Sequence, residues 1–317
     1  MKVITLPSSL DERTFETVVR GLEGPPEQRR LFDASGVTFA DPYGMLGLLA
    51  VGEAAGRSGE TPVLRLPESP EVGSYLTRMR FHEHAAPLFE VLGNSRPPQA
   101  TGSEDVLLEI TPVRSHADVH EVVEHVNARG MSILKTQLHI PMNEAYRFSV
   151  VLSEVCQNII EHAESGGWVA AQTYNWRKRL GRKVVVIAVV DLGIGFRASL
   201  ASTHGARHRE QAAGDDRHHY DDVAALEAAF LRGQTRFHDP GRGQGLQQIR
   251  KLVSRWGGRV SIRSGSARIA DVPEWDDAVP LERNLTRLPG AQIGIVLPAR
   301  VEQEQPAAAA AARERQR

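Results

Sequence analysis

The sequence predicts an α/β protein built from two units in one chain of 317 residues. Three observations lead to this prediction. Short apolar runs alternate with helical patterns through the first hundred residues, which is typical of a sheet covered by helices. A stretch rich in proline, glycine and serine follows at residues 93–105 and is typical of a linker. Further on, Lys183 to Val190 is apolar on both faces, which indicates the central strand of a second covered sheet.

We therefore place the first unit at residues 1–95, a linker at 96–104, the second unit at 105–300 and a tail at 301–317. In the first unit we expect strands at 3–6, 30–36, 61–66 and 88–92, and helices at 9–20, 45–55 and 69–80. Asp41 is a suitable N-cap for the helix at 45–55, and Pro42 suits its first position. The alanine-rich tail is low in complexity and is expected to be disordered.

In the second unit, strands are expected at 106–110, 168–176, 183–190, 259–263 and 291–297, and helices at 117–128, 143–163, 220–231 and 247–256. Paired glycines end two of these helices, at Gly166-Gly167 and at Gly257-Gly258. The sheet and helices again indicate an α/β sandwich.

Composition excludes several classes of function. The 38 basic and 39 acidic residues nearly cancel, so no overall field favours nucleic acid or an anionic membrane. The chain starts without the long apolar region of a signal peptide, and no apolar run is long enough to span a bilayer. The single cysteine, Cys156, cannot form an internal disulfide. We expect a cytoplasmic protein that binds neither nucleic acid nor membrane.

A polar strip runs along the predicted helix at 143–163. Glu154, Asn158 and His162 recur every fourth residue, so each lies only about 40° around the helix axis from the previous one. The strip borders an apolar arc that includes Phe148 and Leu152. The helix can therefore pack on a sheet while it holds a carboxylate, an amide and an imidazole at the rim of a site.

Two glycine-containing segments follow this helix. The buried strand at 183–190 ends in Asp191-Leu-Gly193-Ile-Gly195, where a carboxylate could accept from an exocyclic amine and the glycines let a flat ring approach the backbone. Later, Gly241-Arg242-Gly243-Gln-Gly245-Leu246 opens the helix at 247–256. Free amides at a helix start bind phosphate oxygens, and the helix dipole favours their negative charge.

In this order, the three segments resemble the N, G1 and G2 boxes of the GHKL ATPases, the family of DNA gyrase, histidine kinases and anti-sigma factor kinases. The resemblance covers residues 105–300 and implies a Bergerat-type α/β sandwich with a mixed sheet that binds ATP and Mg²⁺. It implies that Asn158 ligates the metal through its amide oxygen, a hard donor. It also implies that Asp191 binds the adenine amine and that the loop from Gly241 to Gly245 lines the phosphates.

Within this family, Glu154 and His162 on either side of Asn158 most resemble the anti-sigma factor serine kinases. Glu154 could take a proton from water or from a seryl hydroxyl that attacks the γ-phosphate. His162 either steadies the phosphates or bonds to the backbone, and Arg242 could reach the phosphates. Residues 197–240 fit an ATP lid that orders when nucleotide binds.

The stretch from Leu31 to Ala50 resembles the central motif of STAS domains, the fold of anti-sigma factor antagonists. In that family a serine at the start of a helix is phosphorylated by a partner kinase. Here Pro42 and Tyr43 occupy the two serine positions, so we expect a docking or regulatory domain that has lost the usual phosphoacceptor. A purely structural domain is the alternative.

The sequence thus leads to an ATP-binding regulatory protein that transfers the γ-phosphate to a serine or threonine of a protein partner, or switches partner affinity with nucleotide state. The expected partner is a STAS antagonist or a sigma-like factor, and family analogy suggests a homodimer. One alternative is a non-catalytic, ATP-gated binding module. A sensor histidine kinase is disfavoured, because His82-Glu-His-Ala-Ala-Pro87 resembles a phosphoacceptor box but is followed at once by a strand and a linker.

Overall fold

A computed structural model describes residues 1–25, 28–57, 59–93, 106–163, 166–176, 179–201, 221–234 and 245–300. For residues 129–130, 151 and 158–163 within these ranges, it describes the backbone alone. The predicted linker and tail, and most of the predicted lid, lie outside the described residues.

The first unit is a parallel sheet with helices against one face. Its elements are β1 (Lys2–Thr5), β2 (Ser9–Leu10), α1 (Phe15–Val19), β3 (Arg30–Asp33), β4 (Phe39–Ala40), α2 (Pro42–Gly56), β5 (Val63–Arg65), α3 (Pro70–Arg78), α4 (Phe81–Ala85) and β6 (Glu90–Leu92). The strands pair in the order β1-β3-β5-β6, each parallel to the next. Ile4, Phe32 and Leu64 lie in register and pack into the core with the helices.

The second unit is built on a larger sheet. Its elements are β7 (Val106–Val113), α5 (His116–His125), α6 (Met131–Leu138), α7 (Met142–Ala163), β8 (Gly167–Trp176), β9 (Arg182–Asp191), α8 (residues 195–201), α9 (Asp222–Phe230), α10 (Gly245–Arg255), β10 (Arg259–Gly265), β11 (Ala267–Asp271), β12 (Leu281–Glu282) and β13 (Leu288–Pro298). The seven strands pair in the order β12-β11-β10-β13-β9-β8-β7. The α/β fold predicted from the sequence is confirmed.

Strand β9 is covered on both faces, as its apolar sequence predicts. Val185, Ile187 and Val189 face the core that includes α5, α6, α7, α9 and α10. Ala188 and Val190 face the other way and pack in the core of the first unit. The sequence left open whether the two halves touch, and the structure shows that they share this core.

Helix α2 forms the contact between the halves. It is apolar around its whole circumference, and twelve of its fifteen residues are buried, because it lies between the parallel sheet and the outer face of β8, β9 and β13. Asp41 caps its start and accepts from the amide of Gly44 at 2.8 Å. At the same end, the amide of Gln292 on β13 donates to the carbonyl of Tyr43 at 2.8 Å.

Glycines allow this helix to pack closely. A Cβ at Gly44 would lie 2.1 Å from the carbonyl oxygen of Leu10, and a Cβ at Gly47 would lie 2.3 Å from the ring of Phe15. Both distances are far below van der Waals contact. The small residues at these positions therefore set how near α2 lies to β2 and α1.

Two arginines on β10 join the halves by buried ion pairs. Strand β10 alternates, so Val260 and Ile262 face one core while Arg259 and Arg263 face the first unit. Arg259 pairs with Glu12, and Arg263 donates to both carboxylate oxygens of Glu16 at 2.7 and 3.1 Å. Buried pairs of this kind add little net stability, but they penalise any arrangement that separates the partners.

Some predictions for individual elements are wrong. The helix predicted to begin at Ser9 begins at Phe15, because Ser9–Leu10 pair with Phe39–Ala40 and the Asp11 carboxylate accepts from the amides of the following turn. The helix predicted at 69–80 ends at Arg78, and the chain turns at Arg80, whose φ is 59°. Helix α6 was not predicted.

The larger sheet also differs from its expected form. Every pair among its described strands is antiparallel, so it is not the mixed sheet that the family resemblance implied. Parallel pairing occurs in the first unit instead. No helix in the described part of the chain has the length and apolar character needed to cross a bilayer.

We predict that Gly44→Ala destabilises the protein by about 1–3 kcal/mol, because its methyl group would overlap the Leu10 carbonyl and push α2 away from β2. The urea midpoint of unfolding measures this effect. The matched control is Gly73→Ala in α3, where a Cβ meets nothing within 4 Å. It should stabilise by up to about 1 kcal/mol. Equal effects of the two substitutions would contradict the close-packing argument.

Candidate functional site

The end of α7 and the end of β9 lie at one edge of the larger sheet. Helix α7 ends at Ala163, and β8 begins only four residues later at Gly167. Gly167 is in register with Asp191, the last residue of β9. Two segments that the sequence predicts to form one site are thus brought to the same edge by the turn between α7 and β8.

The start of α10 is directed to the same edge. Helix α10 is followed by a tight glycine turn into β10, which begins at Arg259 in register with Val296. At the other end of β10, Ser264 is in register with Ala291, which itself pairs with Asp191. Since β10 runs toward the Asp191 edge and α10 runs back along it, the first turn of α10 lies near this edge.

Contacts at the opposite ends of the two helices agree with this arrangement. The ring of Trp256, just after α10, lies 5.7 Å from that of Phe148 in the early part of α7. Its indole nitrogen also donates to Glu144 near the α7 start. Helices α7 and α10 therefore pack antiparallel on one face of the sheet, with the end of α7 and the start of α10 together.

Helix α7 carries the predicted strip of Glu154, Asn158 and His162 along its second half. The structure confirms that all three belong to one continuous helix, while the side chains of Asn158 and His162 lie outside the described atoms. Glu154 is half-buried, and this burial raises the pKa of its carboxyl. A carboxyl with a raised pKa takes a proton more readily, which suits a general base.

Asp191 is held by the backbone around it. Its carboxylate accepts from the amide of Gly193 at 2.9 Å and also from the amide of Ala291 on the adjacent strand. Burial nevertheless raises the pKa of this carboxyl to about 6, against the effect of the two amides, which lower it. The carboxylate is thus desolvated and oriented, but it remains charged at neutral pH.

The glycines after Asp191 serve the fold as well. Gly195 has φ +72°, and a Cβ there would lie 2.8 Å from the hydroxyl of Ser264. That hydroxyl donates to the carbonyl of Gly290 at 2.8 Å and accepts from the amide of Phe196 at 3.2 Å. Ser264 therefore ties the segment after Asp191 to strands β10 and β13. Sequence reasoning missed it, and the Ser264-Gly-Ser266 turn was the available signal.

A second tie holds α9, the first described element after residue 201. The buried carboxylate of Asp222 accepts from the amide and the hydroxyl of Ser266 at 2.8 and 2.7 Å. Gly265 precedes Ser266 in the chain, and a Cβ at Gly265 would lie 2.4 Å from the Asp222 carboxylate, so only glycine fits at this position. The chain that leaves the site after α8 is thus anchored again at the same edge. This contact was also missed.

Helix α10 begins at Gly245, two residues earlier than predicted. Leu246 is buried in the core, so any contribution of this residue to a ligand comes from its backbone. Gly241, Arg242 and Gly243, predicted to line the phosphates, lie outside the described residues. The amides in the first turn of α10 are the described groups that could bind a phosphate oxygen.

The donor set at this edge fits a nucleotide. Asp191 is a half-buried, oriented acceptor for an amine, and the start of α10 offers amides and a positive dipole for phosphates. Asn158, on the helix between them, is the residue that would hold Mg²⁺ through an amide oxygen. A purine and a polyphosphate could therefore be bound at opposite ends of one site.

Comparison with known protein families supports a nucleotide site at this sheet edge over an edge that binds no ligand. Residues 143–274 match the family described as histidine kinase-, DNA gyrase B- and HSP90-like ATPase. Residues 143–274 are a GHKL-family ATPase domain. The matched range contains Glu154, Asn158, Asp191 and the start of α10. GHKL domains bind ATP, usually with Mg²⁺.

No curated protein matches the chain. The GHKL domain accounts for α7 to β11, while the first unit and β13 lie outside the matched range. The resemblance of the first unit to STAS domains and that of the GHKL domain to anti-sigma factor kinases stay predictions.

We predict that Ser264→Ala loosens the segment after Asp191. It leaves the Phe196 amide and the Gly290 carbonyl without their hydroxyl partner, at a cost of roughly 1–3 kcal/mol. Denaturant unfolding measures the cost, and hydrogen exchange at Phe196 should become faster. Ser254→Ala is the control, because its hydroxyl makes only a 3.4 Å contact with Asp271; it should cost less than about 0.5 kcal/mol. Unchanged exchange at Phe196 would count against the tie.

Proposed function

We propose that the protein is an ATP-dependent regulator that transfers the γ-phosphate to a hydroxyl of a protein partner, or changes its affinity for that partner with nucleotide state. The observation that carries this proposal is the convergence of three segments at one sheet edge inside the GHKL domain. They are the polar strip of α7, the carboxylate of Asp191 and the first turn of α10.

Each residue of the proposed site has a role that follows from the chemistry of its side chain or backbone. Asp191 accepts from the adenine amine and so fixes the purine end of ATP. Asn158 holds Mg²⁺, and the amides at the start of α10 together with the segment from Gly241 to Gly245 bind the phosphates. Arg242 adds a positive charge there, and His162 steadies the phosphates or bonds to the backbone. Bound ATP supplies the phosphoryl group.

Glu154 acts as the general base in the transfer. It takes the proton of the attacking hydroxyl as that oxygen bonds to the γ-phosphorus and the bond from phosphorus to the β-phosphate oxygen breaks. The raised pKa of Glu154 supports this role. With water in place of the hydroxyl, the same residue would support hydrolysis.

The acceptor hydroxyl belongs to another protein in this proposal. Tyr43 stands at one of the two positions where STAS domains carry serine, and its side chain is only 1% exposed. Pro42, at the other, has no hydroxyl. A separate STAS antagonist or a sigma-like factor is therefore the proposed partner, and a homodimer is the proposed assembly.

A non-catalytic switch is the second candidate, and the packing of α2 favours it. Helix α2 of the first unit lies directly on β9, the strand that ends in Asp191. Nucleotide binding at the end of this strand and partner binding to the first unit could then influence each other through one packed core. A histidine kinase is less well supported, since His82 lies on a helix of only five residues.

We predict that Asn158→Ala lowers the Mg²⁺-dependent affinity for ATP at least about tenfold, which corresponds to the loss of roughly 1.4 kcal/mol of binding. Titration calorimetry with ATP and Mg²⁺ measures the change. Gln157→Ala is the matched control, because Gln157 is the exposed neighbour on the same helix, and its affinity should equal that of the wild type. An Asn158→Ala variant that binds Mg²⁺–ATP as tightly as the wild type would refute the assignment.

The catalytic and switch forms are separated by Glu154→Gln. If the protein is a kinase, this variant should bind ATP normally but transfer phosphate to the partner roughly 10²- to 10⁴-fold more slowly. Labelled ATP and candidate STAS or sigma-like partners provide the assay. Tight nucleotide binding by the wild type without any transfer or hydrolysis would instead support the switch.

We predict that adenosine binding weakens below pH 6. The raised pKa of Asp191, about 6, means that this carboxyl gains a proton near that pH and then loses its charge as an acceptor. Affinity should be nearly constant above about pH 7, fall to about half near pH 6, and fall by up to about tenfold per pH unit below that. Adenosine is used because it has no phosphate that titrates. Asp191→Asn should bind weakly with no step near pH 6, and a step in this variant would assign the titration elsewhere.

A further inference from the structure

A second pocket lies between the two halves, on the face of the larger sheet opposite α7 and α10. We call it the interface pocket. It has a volume of about 480 Å³, within the range of small-molecule sites. Its walls come from the segment before α1, the start of α2, the end of β8, the start of β10 and the middle of β9 and β13.

Aromatic and apolar groups form part of the wall. Phe39 and Trp176 line the pocket, as do Val186 on β9 and Val296 on β13. The ring of Phe39 packs 5.5 Å from that of Tyr174, which holds it in place. The two aromatic rings offer flat surfaces to a bound molecule, and the two valines offer apolar surface.

Asp41 is the distinctive polar group of the interface pocket. Its side chain lines the pocket although the residue is only 7% exposed. One carboxylate oxygen accepts from the amide of Gly44, and the described contacts give this carboxylate no cationic partner. Tyr43 also lines the pocket, but its hydroxyl is buried away from it.

The arginines of the wall are already paired. Arg13 and Arg179 contact Asp276 at 3.2 and 2.9 Å, and Arg259 pairs with both Glu12 and Asp276. None of these guanidinium groups pairs with Asp41. An added anion would have to compete with these carboxylates, whereas an added cation would meet a carboxyl group that forms no ion pair with any described residue.

We propose that the interface pocket binds a small organic ammonium ion that carries an aromatic group, with Asp41 as its counter-ion. The ammonium donates to the Asp41 carboxylate. The aromatic group packs against Phe39, whose π face also attracts the positive charge, and against Trp176, over whose ring the Arg179 guanidinium lies at 4.7 Å. This site is separate from the proposed ATP site and does not depend on it.

Burial couples ligand binding to the loss of a proton, because it disfavours the charged carboxylate in the empty pocket. The pKa of Asp41 is raised to about 8, mainly by burial. The carboxylates of Asp11 and Glu12 also raise the pKa of Asp41, whereas the amide of Gly44 and the guanidinium of Arg259 lower it. Asp41 in turn raises the pKa values of Tyr75 and Tyr174. At pH 7 the empty site is therefore mostly protonated. A bound ammonium ion favours the carboxylate, so binding should release nearly one proton.

The test is titration calorimetry with tryptamine, an aromatic ammonium ion, on the full chain at pH 7 in buffers of different ionisation enthalpy. Tryptamine should bind with release of nearly one proton, and indole-3-acetate, which has the same ring and the opposite charge, should not bind. Asp41→Asn should weaken tryptamine binding roughly tenfold to hundredfold and abolish the proton release. Asparagine keeps the N-cap of α2, and the urea midpoint of unfolding reports that the variant is folded.

Two further variants complete the test. Phe39→Leu removes one π face at the pocket rim and should weaken tryptamine binding about twofold to thirtyfold. Glu53→Gln removes one charge at the far end of α2, where Glu53 pairs with Arg57, and should have no effect. The proposal is overturned if neither tryptamine nor tyramine binds at millimolar concentration. It is also overturned if Asp41→Asn binds tryptamine as the wild type does, or if indole-3-acetate binds equally well.

Discussion

The structure depends on the burial of α2 from all sides. A helix without a polar face needs apolar cover around its whole circumference, and one sheet can cover only part of it. The parallel sheet of the first unit covers one side and the outer face of β8, β9 and β13 covers the other. The two halves are therefore held together by the same apolar contacts that stabilise each of them.

This arrangement determines which edge of the larger sheet can form a binding site. With α2 on one face of the larger sheet, α7 and α10 occupy the other, and their adjacent ends meet at the edge where β9 finishes in Asp191. Ser264 and Asp222 fix the backbone at that edge through hydrogen bonds that leave the Asp191 carboxylate in place. The proposed nucleotide site is built on the end of a sheet whose strand β9 is covered on both faces.

Sequence patterns predicted the parts whose cause is local. The Asp41-Pro42 start of α2, the long helix α7 and the apolar strand β9 follow from capping and periodicity, and the structure confirms them. Sequence patterns failed where residues distant in the chain determine the local structure. Ser9 and Leu10 become a strand only because Phe39 and Ala40 lie beside them, and the hydroxyl of Ser264 matters only because Gly290 is brought next to it. The placement of the first unit against the larger sheet had no local signal either.

The shared core also limits how the chain can be divided. A fragment that starts at β7 would present Ala188 and Val190 to water, together with the arginines of β10 stripped of Glu12 and Glu16. Such a fragment would expose an aggregation-prone apolar patch together with unneutralised positive charge, so it is a poor choice for expression or crystallisation. The GHKL segment of this chain is better regarded as part of a single folding unit than as a transferable module.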